Sequence, residues 1–544
     1  MNDTPETEPA RSDHLVSRRT VAKTAAWAAP AILATVSSPA FAASSSPAAL
    51  AVSFDKALYT VAPSESLPAG GVVVTVVDAG GPVANARVTV TIAQIDDVGG
   101  PGADDGVDGP GVEDPGEGVS GLERPTARFA AGTTFVGVTS PTGVLVLPLI
   151  TAGAWQGALN VTAETTVAGV PASAAAVLRV FRDAAIVSWG YNYLGVLGAG
   201  IAAGDAVVPL GTTIPDIAGL TLGRSAGVSQ FALDRSTGRI WGWGYGVPGI
   251  PGNSVVNPEP VSVGTFPGAV DVVSGYYAHY ALMSDGRVLS WGYRAYAMLG
   301  DGDTADQGGY KRTPSEVKFP AEAGKIVKVA AALWNVYALD ENGAVWSWGD
   351  IAFEARGDGL GVRTWVPTRV QLPEGRRATD VSAHFYGGHV IMEDRTVWGW
   401  GCGLYDMLGV PSIAARAAVL QVPGIADAQS LFGGWYNSAV VLGDGSLRTW
   451  GTSDYAANGQ GVSGGYPVGV FDNGLTGVKK VVFNAHSGLA LKNDGSVWHW
   501  GYNGSGENGN GNRVSPVLRP KRVEGLVGIR DIGTTQYSYF ASTR

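Results

Sequence analysis

Val288-Leu289-Ser290-Trp291-Gly292 is a short apolar run that ends in a Trp-Gly pair, and the pair does not stand alone. It recurs at Trp189-Gly190, Trp243-Gly244, Trp348-Gly349, Trp400-Gly401, Trp450-Gly451 and Trp500-Gly501. The successive spacings are 54, 48, 57, 52, 50 and 50 residues. A recurrence near 50 residues signals one supersecondary unit used repeatedly, each unit burying its apolar face against its neighbours.

Working outward from the pair, each unit parses the same way. An apolar strand such as Ala269-Val270-Asp271-Val272-Val273 comes first, then a short turn, then a strand such as His279-Tyr280-Ala281-Leu282. Hairpin turns follow at Asp285-Gly286, Asn342-Gly343, Asp444-Gly445 and Asp494-Gly495, pairs that accept the positive φ angles of tight turns. Asp394-Arg395 lacks the Gly and is expected to turn less cleanly. The closing strand carries Trp-x-Trp in four units, Trp241 with Trp243, Trp346 with Trp348, Trp398 with Trp400 and Trp498 with Trp500. Residues two apart on a strand share a face, so both rings are expected against the neighbouring unit. A Gly-rich loop then leads through a Pro-containing segment, as in Tyr502-Asn503-Gly504-Ser505-Gly506-Glu507 and Val514-Ser515-Pro516.

Trp-Gly, an Asn/Gly loop, Pro, an apolar strand and Asp-Gly, in that order, resemble the repeat of the RCC1 (regulator of chromosome condensation) family. The resemblance spans residues 184–544 and implies an all-β fold, a seven-bladed RCC1-like β-propeller. Local departures are the Gly-poor loops at Tyr191 to Gly200 and Tyr245 to Gly252. The strand Ala184 to Gly190 has no preceding partner, and Ile529 to Phe540 has no closing Trp-Gly. Together they are expected to complete one blade and remove free sheet edges.

Composition agrees. The chain has 544 residues, 79 of them Gly and 16 Trp, with only 15% charged, which suits short strands and tight turns rather than helices. The net charge of −10 argues against nucleic acid as the main partner, since phosphate binding needs clustered Lys and Arg. The lone cysteine, Cys402, excludes an intramolecular disulfide.

Residues 1–42 read as an address. Arg18-Arg19 and Lys23 precede an apolar stretch from Ala25 to Val36 and the small-x-small end Ala40-Phe41-Ala42. The paired arginines resemble a twin-arginine signal. Export already folded and cleavage near Ala42 are expected, giving a secreted or cell-envelope protein with no membrane span. Pairing across some 350 residues is slow, which favours folding before export.

Residues 43–182 show short alternating runs, including Ala51 to Phe54, Val72 to Val77, Ala86 to Ile92, Val144 to Leu147, Leu159 to Ala163 and Ala174 to Phe181. They predict a small β-sandwich. Gly81 to Val90, followed by Thr142 to Val146, resembles a bacterial immunoglobulin-like domain of the invasin type, a family in which such domains act as spacers. An acidic Gly/Asp-rich insertion runs over residues 96–124. Asp104, Asp105 and Asp108 offer hard oxygen ligands for calcium, although the spacing is not that of an EF-hand. The reading preferred here is a disordered, self-repelling loop with no metal, and calcium binding is the alternative.

No catalytic constellation emerges, and no cofactor is expected. Gly461-Val462-Ser463-Gly464-Gly465 has the spacing of a hydrolase elbow but lies in a loop. Gly244 to Gly249 has the spacing of a dinucleotide loop but no helix follows. His384 and His389 have no metal-ligand spacing to a Cys or carboxylate, and Cys402 has no evident base.

A different signal comes from the turn between the first two strands of each unit. Its second position reads Val228, Tyr277, Trp334, Tyr386, Tyr436, His486 and Tyr537; its first reads Gly227, Tyr276, Leu333, Phe385, Trp435, Ala485 and Gln536. Equivalent turns of a propeller ring one mouth of the central channel. Such aromatic rings suit a recognition surface, because Tyr and Trp dominate binding hot spots. They equally suit a plug of the channel. The family resemblance implies an interaction platform, so a monomeric non-enzymatic protein that binds an extracellular protein is the leading expectation. A secreted inhibitor of the β-lactamase-inhibitor-protein type and a polysaccharide or cell-wall binder are the alternatives. Guanine nucleotide exchange would require an inactive signal.

Overall fold

The structure, a computed structural model, describes residues 50–543 except 63, 96–125, 154–156, 181–183, 201–204, 215–218, 246–255, 305–308, 411–415 and 465–468. Arg18, Arg19, the cleavage pattern and the acidic insertion with Asp104, Asp105 and Asp108 lie outside the described residues. Among the described residues no helix is long and apolar enough to cross a membrane.

The first part of the chain is built from three sheets. The longest hairpin, Gly157–Val167 with Val170–Val180, is flanked by Arg87–Gln94 and, in parallel, by Leu58–Val61. Ala51–Phe54, Gly81–Pro82 and Val144–Val146 pair with Val73–Asp78 in a second sheet. Alternation does the work: along Arg87–Gln94 the residues Val88, Val90 and Ile92 are buried while their neighbours are not. They join Val74, Val76, Val161, Leu178 and Val180 in one core.

From Ile186 onward the strands form antiparallel groups of four. Ala269–Ser274, Ala278–Met283, Val288–Tyr293 and Tyr310–Glu316 make one such group. Sheets of the same order start at Leu220–Leu222, Ile326–Ala331, Ala378–His384, Ala428–Gly433 and Val478–Phe483. A further group runs Asp531–Thr534, Ser538–Ser542, Ile186–Gly190, Ala206–Gly211, so the last two strands of the chain pair with the first two of this region. The register is Ile186 with Ser542 through Gly190 with Ser538. A short parallel bridge at Arg224–Ser225 joins this group to the one that begins at Ala269.

The Trp of each Trp-Gly is fully buried and holds consecutive groups together by one repeated hydrogen bond. The indole N–H donates to the carbonyl seven residues after the preceding Trp. Trp243 donates to Val196 (2.8 Å), Trp348 to Met298 (2.8 Å), Trp400 to Ala355 (2.9 Å), Trp450 to Met407 (3.1 Å) and Trp500 to Ala457 (2.9 Å). Trp189 donates to Glu507 at 2.8 Å, which carries the pattern from the last group back to the first. For Trp291 the corresponding carbonyl belongs to Ile250, outside the described residues.

Two expectations change in detail. The Trp-x-Trp residues do share a face, but Trp241, Trp398 and Trp498 are only half-buried. They lie beneath Arg239, Arg376 and Lys492, whose charged ends sit 5.4 to 5.6 Å from the ring centroids. At the Gly-less hairpin, Arg395 takes the left-handed conformation itself (φ 61°) and its N–H bonds Met392 O, as Gly286 bonds Met283 O. The turn therefore forms as in the other units, at an L-residue cost of about 1–2 kcal/mol.

Candidate binding face

Each turn between the first two strands puts two side chains at the same end of its group as the loop after Trp-Gly. The first positions point inward and pack on one another. Leu333, Phe385, Trp435 and Ala485 are buried, and Tyr276 and Trp435 lie 6.2 Å apart although 159 residues separate them. The Trp435 indole N–H donates to Ala226 O at 3.0 Å, and Phe385 lies 5.2 Å from Trp435. The second positions surround them. Val228, Tyr277 and Trp334 are buried; Tyr386, Tyr436, His486 and Tyr537 are half-buried against the same cluster.

All nine sequence-identified residues (Tyr276, Tyr277, Trp334, Phe385, Tyr386, Trp435, Tyr436, His486 and Tyr537) thus belong to one aromatic layer around the axis. Its inner tier is a plug. Burial pushes the Tyr276 and Tyr277 hydroxyls up from their ordinary range, and Tyr386 up to about 12. Beneath the plug lies a cavity of about 60 Å³, room for a few waters, lined by Arg224, Ala331, Ser382, Phe385, Trp435 and Thr534 among others.

A second tier escaped the sequence reading. Five residues after the Trp of Trp-Gly stand Leu194, Tyr296, Phe353, Tyr405 and Tyr455, all with positive φ between 53° and 58°. Each aromatic one of these packs on the turn of the next group: Tyr296 on Trp334 (4.9 Å), Phe353 on Tyr386 (4.5 Å), Tyr405 on Tyr436 (5.2 Å) and Tyr455 on His486 (5.3 Å). One ring face rests on the inner layer and the rest meets solvent. Phe353, Tyr405 and Tyr455 are each 42% exposed. Their signal in the sequence is a column of aromatics at the fifth residue after the Trp in four of the seven units.

The polar residues considered as chemistry are sequestered. His384 and His389 are buried 4.9 Å apart, and the desolvated imidazoles are held far below their ordinary pKa, His384 at about 3. Cys402 is buried and burial raises its thiol. Part of each glycine motif lies outside the described residues. Among the described residues no three His, Cys, Asp or Glu side chains are grouped to hold a metal.

Residues 285–339 match the family model for the regulator of chromosome condensation (RCC1) repeat. The ultraviolet-B receptor UVR8 of Arabidopsis thaliana is 28% identical over 308 residues, covering 54% of this chain and 68% of the receptor. The human E3 ubiquitin-protein ligase HERC2 is 28% identical over 311 residues, but this chain spans only 6% of its length. Among solved structures, Prp20p from Saccharomyces cerevisiae covers 65% of this chain at 20% identity and a TM-score of 0.57, with 90% of Prp20p matched. Human WBSCR16 covers 65% at 20% identity and a TM-score of 0.56, with 98% of it matched. The chain therefore matches the RCC1 repeat over residues 285–339 and has an all-β, RCC1-like propeller fold.

Proposed function

We propose that this chain is an exported, non-enzymatic binding protein that presents the turn-and-loop face of a seven-bladed propeller to a protein partner. The observation that carries the reading is the outer aromatic tier. Phe353, Tyr405 and Tyr455 keep 42% of their surface in water while held in a left-handed backbone conformation that costs L-residues about 1–2 kcal/mol. Leu194 takes the same backbone conformation while buried, so the turn belongs to the repeat; what sets the three aromatics apart is the surface they keep in water, and half-exposed aromatics are what interface hot spots use. Propellers of this repeat family act as interaction platforms, and the protein named Prp20p is described by its binding to Gsp1p and histones.

The remaining parts fit the same reading. The twin-arginine segment would deliver the folded chain outside the cell. The immunoglobulin-like sandwich would hold the face away from its surroundings. An inhibitor that occludes another enzyme's active site is one form such a platform takes. The test is affinity capture from spent culture medium with the mature protein, beside a variant carrying Phe353→Ala, Tyr405→Ala and Tyr455→Ala. A protein retained by the parent and lost from the folded variant is expected. Identical captures by both would sink the platform reading, and retention of polysaccharide instead would replace it.

A further inference from the structure

The outer strand of the closing group is buried where its equivalents are not. Ala206–Gly211 is the edge of its sheet, yet every one of its residues is buried. The corresponding edge strands Tyr310–Glu316 and Val517–Arg522 contain no buried residue. The sequences differ to match. Ala206-Val207-Val208-Pro209-Leu210-Gly211 carries no charge, whereas Tyr310 to Glu316 includes Lys311, Arg312 and Glu316. An apolar edge left open invites pairing with another chain, so it has to be covered.

The cover comes from the first part of the chain. In the hairpin Gly157–Val167 with Val170–Val180, Leu159, Val161, Leu178 and Val180 face the core of the N-terminal sheets. The opposite face of the hairpin pairs Ala158 with Arg179, Asn160 with Val177, Thr162 with Ala175 and Glu164 with Ser173. Exposure on that face grows along the hairpin. Ala158 and Arg179 are buried, Asn160 and Val177 are half-buried, and Ala175, Glu164 and Ser173 are exposed. At the buried end, Ala158 and Val177 join Val207, Val208, Leu210, Val523 and Leu526 in one apolar cluster.

Two turns from the far end of the chain reach the same hairpin. Gly511 donates its N–H to Val207 O at 2.8 Å, and a Cβ on it would stand 2.5 Å from Val177 Cγ2. A Cβ on Gly525 would stand 3.1 Å from Leu58 Cδ2 and 3.5 Å from Arg179 Nη1. The N-terminal sheets therefore touch both sides of the seam where the repeat region closes on itself, residues 206–211 from its start and residues 511–526 from its end.

We propose that the N-terminal sheets are a clip across the closure seam of the propeller. They hold the closing group shut by covering its apolar edge, and the seam is the first part of the ring to open when the clip lifts. Without them closure rests on pairing between Ile186–Gly190 and Ser538–Ser542, strands from the two ends of the repeat region, against which loop-closure entropy works. The clip stands whatever the turn-and-loop face binds.

The test is hydrogen exchange in the full-length protein carrying Val177→Glu or Ala158→Glu, with Ala175→Glu as the control on the exposed part of the same face. Neither interface residue belongs to the core of the N-terminal sheets, so their packing is expected to survive. Amides of Ile186–Gly190 and Ser538–Ser542 report the seam, those of Ala378–His384 a remote group, and those of Arg87–Gln94 the N-terminal sheets. Placing a carboxylate in the apolar contact is expected to quicken seam exchange about tenfold or more, with Ala378–His384 close to the parent rate and Ala175→Glu indistinguishable from the parent. Seam exchange at the parent rate in both interface variants overturns the clip and leaves the N-terminal sheets a spacer, whether or not Arg87–Gln94 stays protected. Equal quickening at Ala378–His384 overturns it as well, because the loss is then general rather than at the seam.

Discussion

Burial of single ionisable residues gives this protein two opposed pH dependences. His279, His384 and His499 are fully buried, and desolvation lowers each imidazole to about 3. The unfolded chain protonates them below about pH 6.5 while the folded chain does not. Their contribution is therefore complete above pH 6.5 and is lost as pH falls, by up to about 2 kcal/mol per histidine at pH 5. Glu507 is the opposite case. Burial raises its carboxyl to about 8, so its contribution is complete below its ordinary value of 4.5 and is lost as pH rises through 8. The urea midpoint should fall on both sides of an intermediate maximum. Glu507→Gln should raise the midpoint at about pH 9 far more than at about pH 5. A profile unchanged by this substitution would show that the carboxyl is not desolvated. None of this was legible in the sequence, where His384 and Glu507 look like any loop or strand residues; their burial follows from neighbours in other units.

At the level of strands and turns the sequence was far more explicit. Asp-Gly and Asn-Gly pairs marked hairpins because the turn needs positive φ, and Gly286, Gly343, Gly445 and Gly495 take it at 93°, 80°, 78° and 79°. Period-two runs marked strands because alternate residues face the core. Contacts between first strands of different groups were not legible. Lys328 pairs with Asp380, Lys480 with Asp531 (2.7 Å) and Arg224 with Asp271 (2.8 Å). The partners lie 47 to 52 residues apart, so no local pattern announces them. The two sides of the Lys328 pair are not equal. Asp380 also accepts the N–H groups of Val381 and Leu431, whereas burial pushes the Lys328 ammonium down and only Asp380 answers it directly. Asp380→Ala is thus expected to cost about 3–5 kcal/mol and Lys328→Met only about 1–2 kcal/mol. Denaturant titration of both variants measures the difference, and equal costs would refute the asymmetry.

Closure belongs to the whole molecule. Ser538–Ser542 lies between Asp531–Thr534 and Ile186–Gly190, so strands from opposite ends of the repeat region share one group. Deleting residues 531–544 would expose the edge of Ile186–Gly190 and remove the partner of a fully buried strand. The truncated chain is expected to lose its cooperative thermal transition and to associate with rising concentration, as read by light scattering. A monomer with an unchanged melt would mean that the remaining strands suffice. The first part of the chain is seated on this closing region. Ala158, Val177 and Ile95 pack with Val207 and Leu210. Gly511, at φ 72°, leaves only 2.5 Å between its would-be Cβ and Val177, so any side chain there would push the two apart.

The sequence by itself determined the repeated unit, its strands, its turns and the pairing of its ends. Those follow from local requirements: alternation for a half-buried strand, positive φ for a hairpin, and a large apolar ring where one unit must cover the next. It also singled out the turn aromatics, although not which of them meet water. That distinction came only from the tertiary structure. Trp435 reaches Ala226 across the axis and is buried, while Tyr405, with no more apolar a sequence around it, is lifted by a left-handed turn onto the rim. Exposure is set by what converges on a residue from other units, and that convergence is a property of the closed ring rather than of any one repeat.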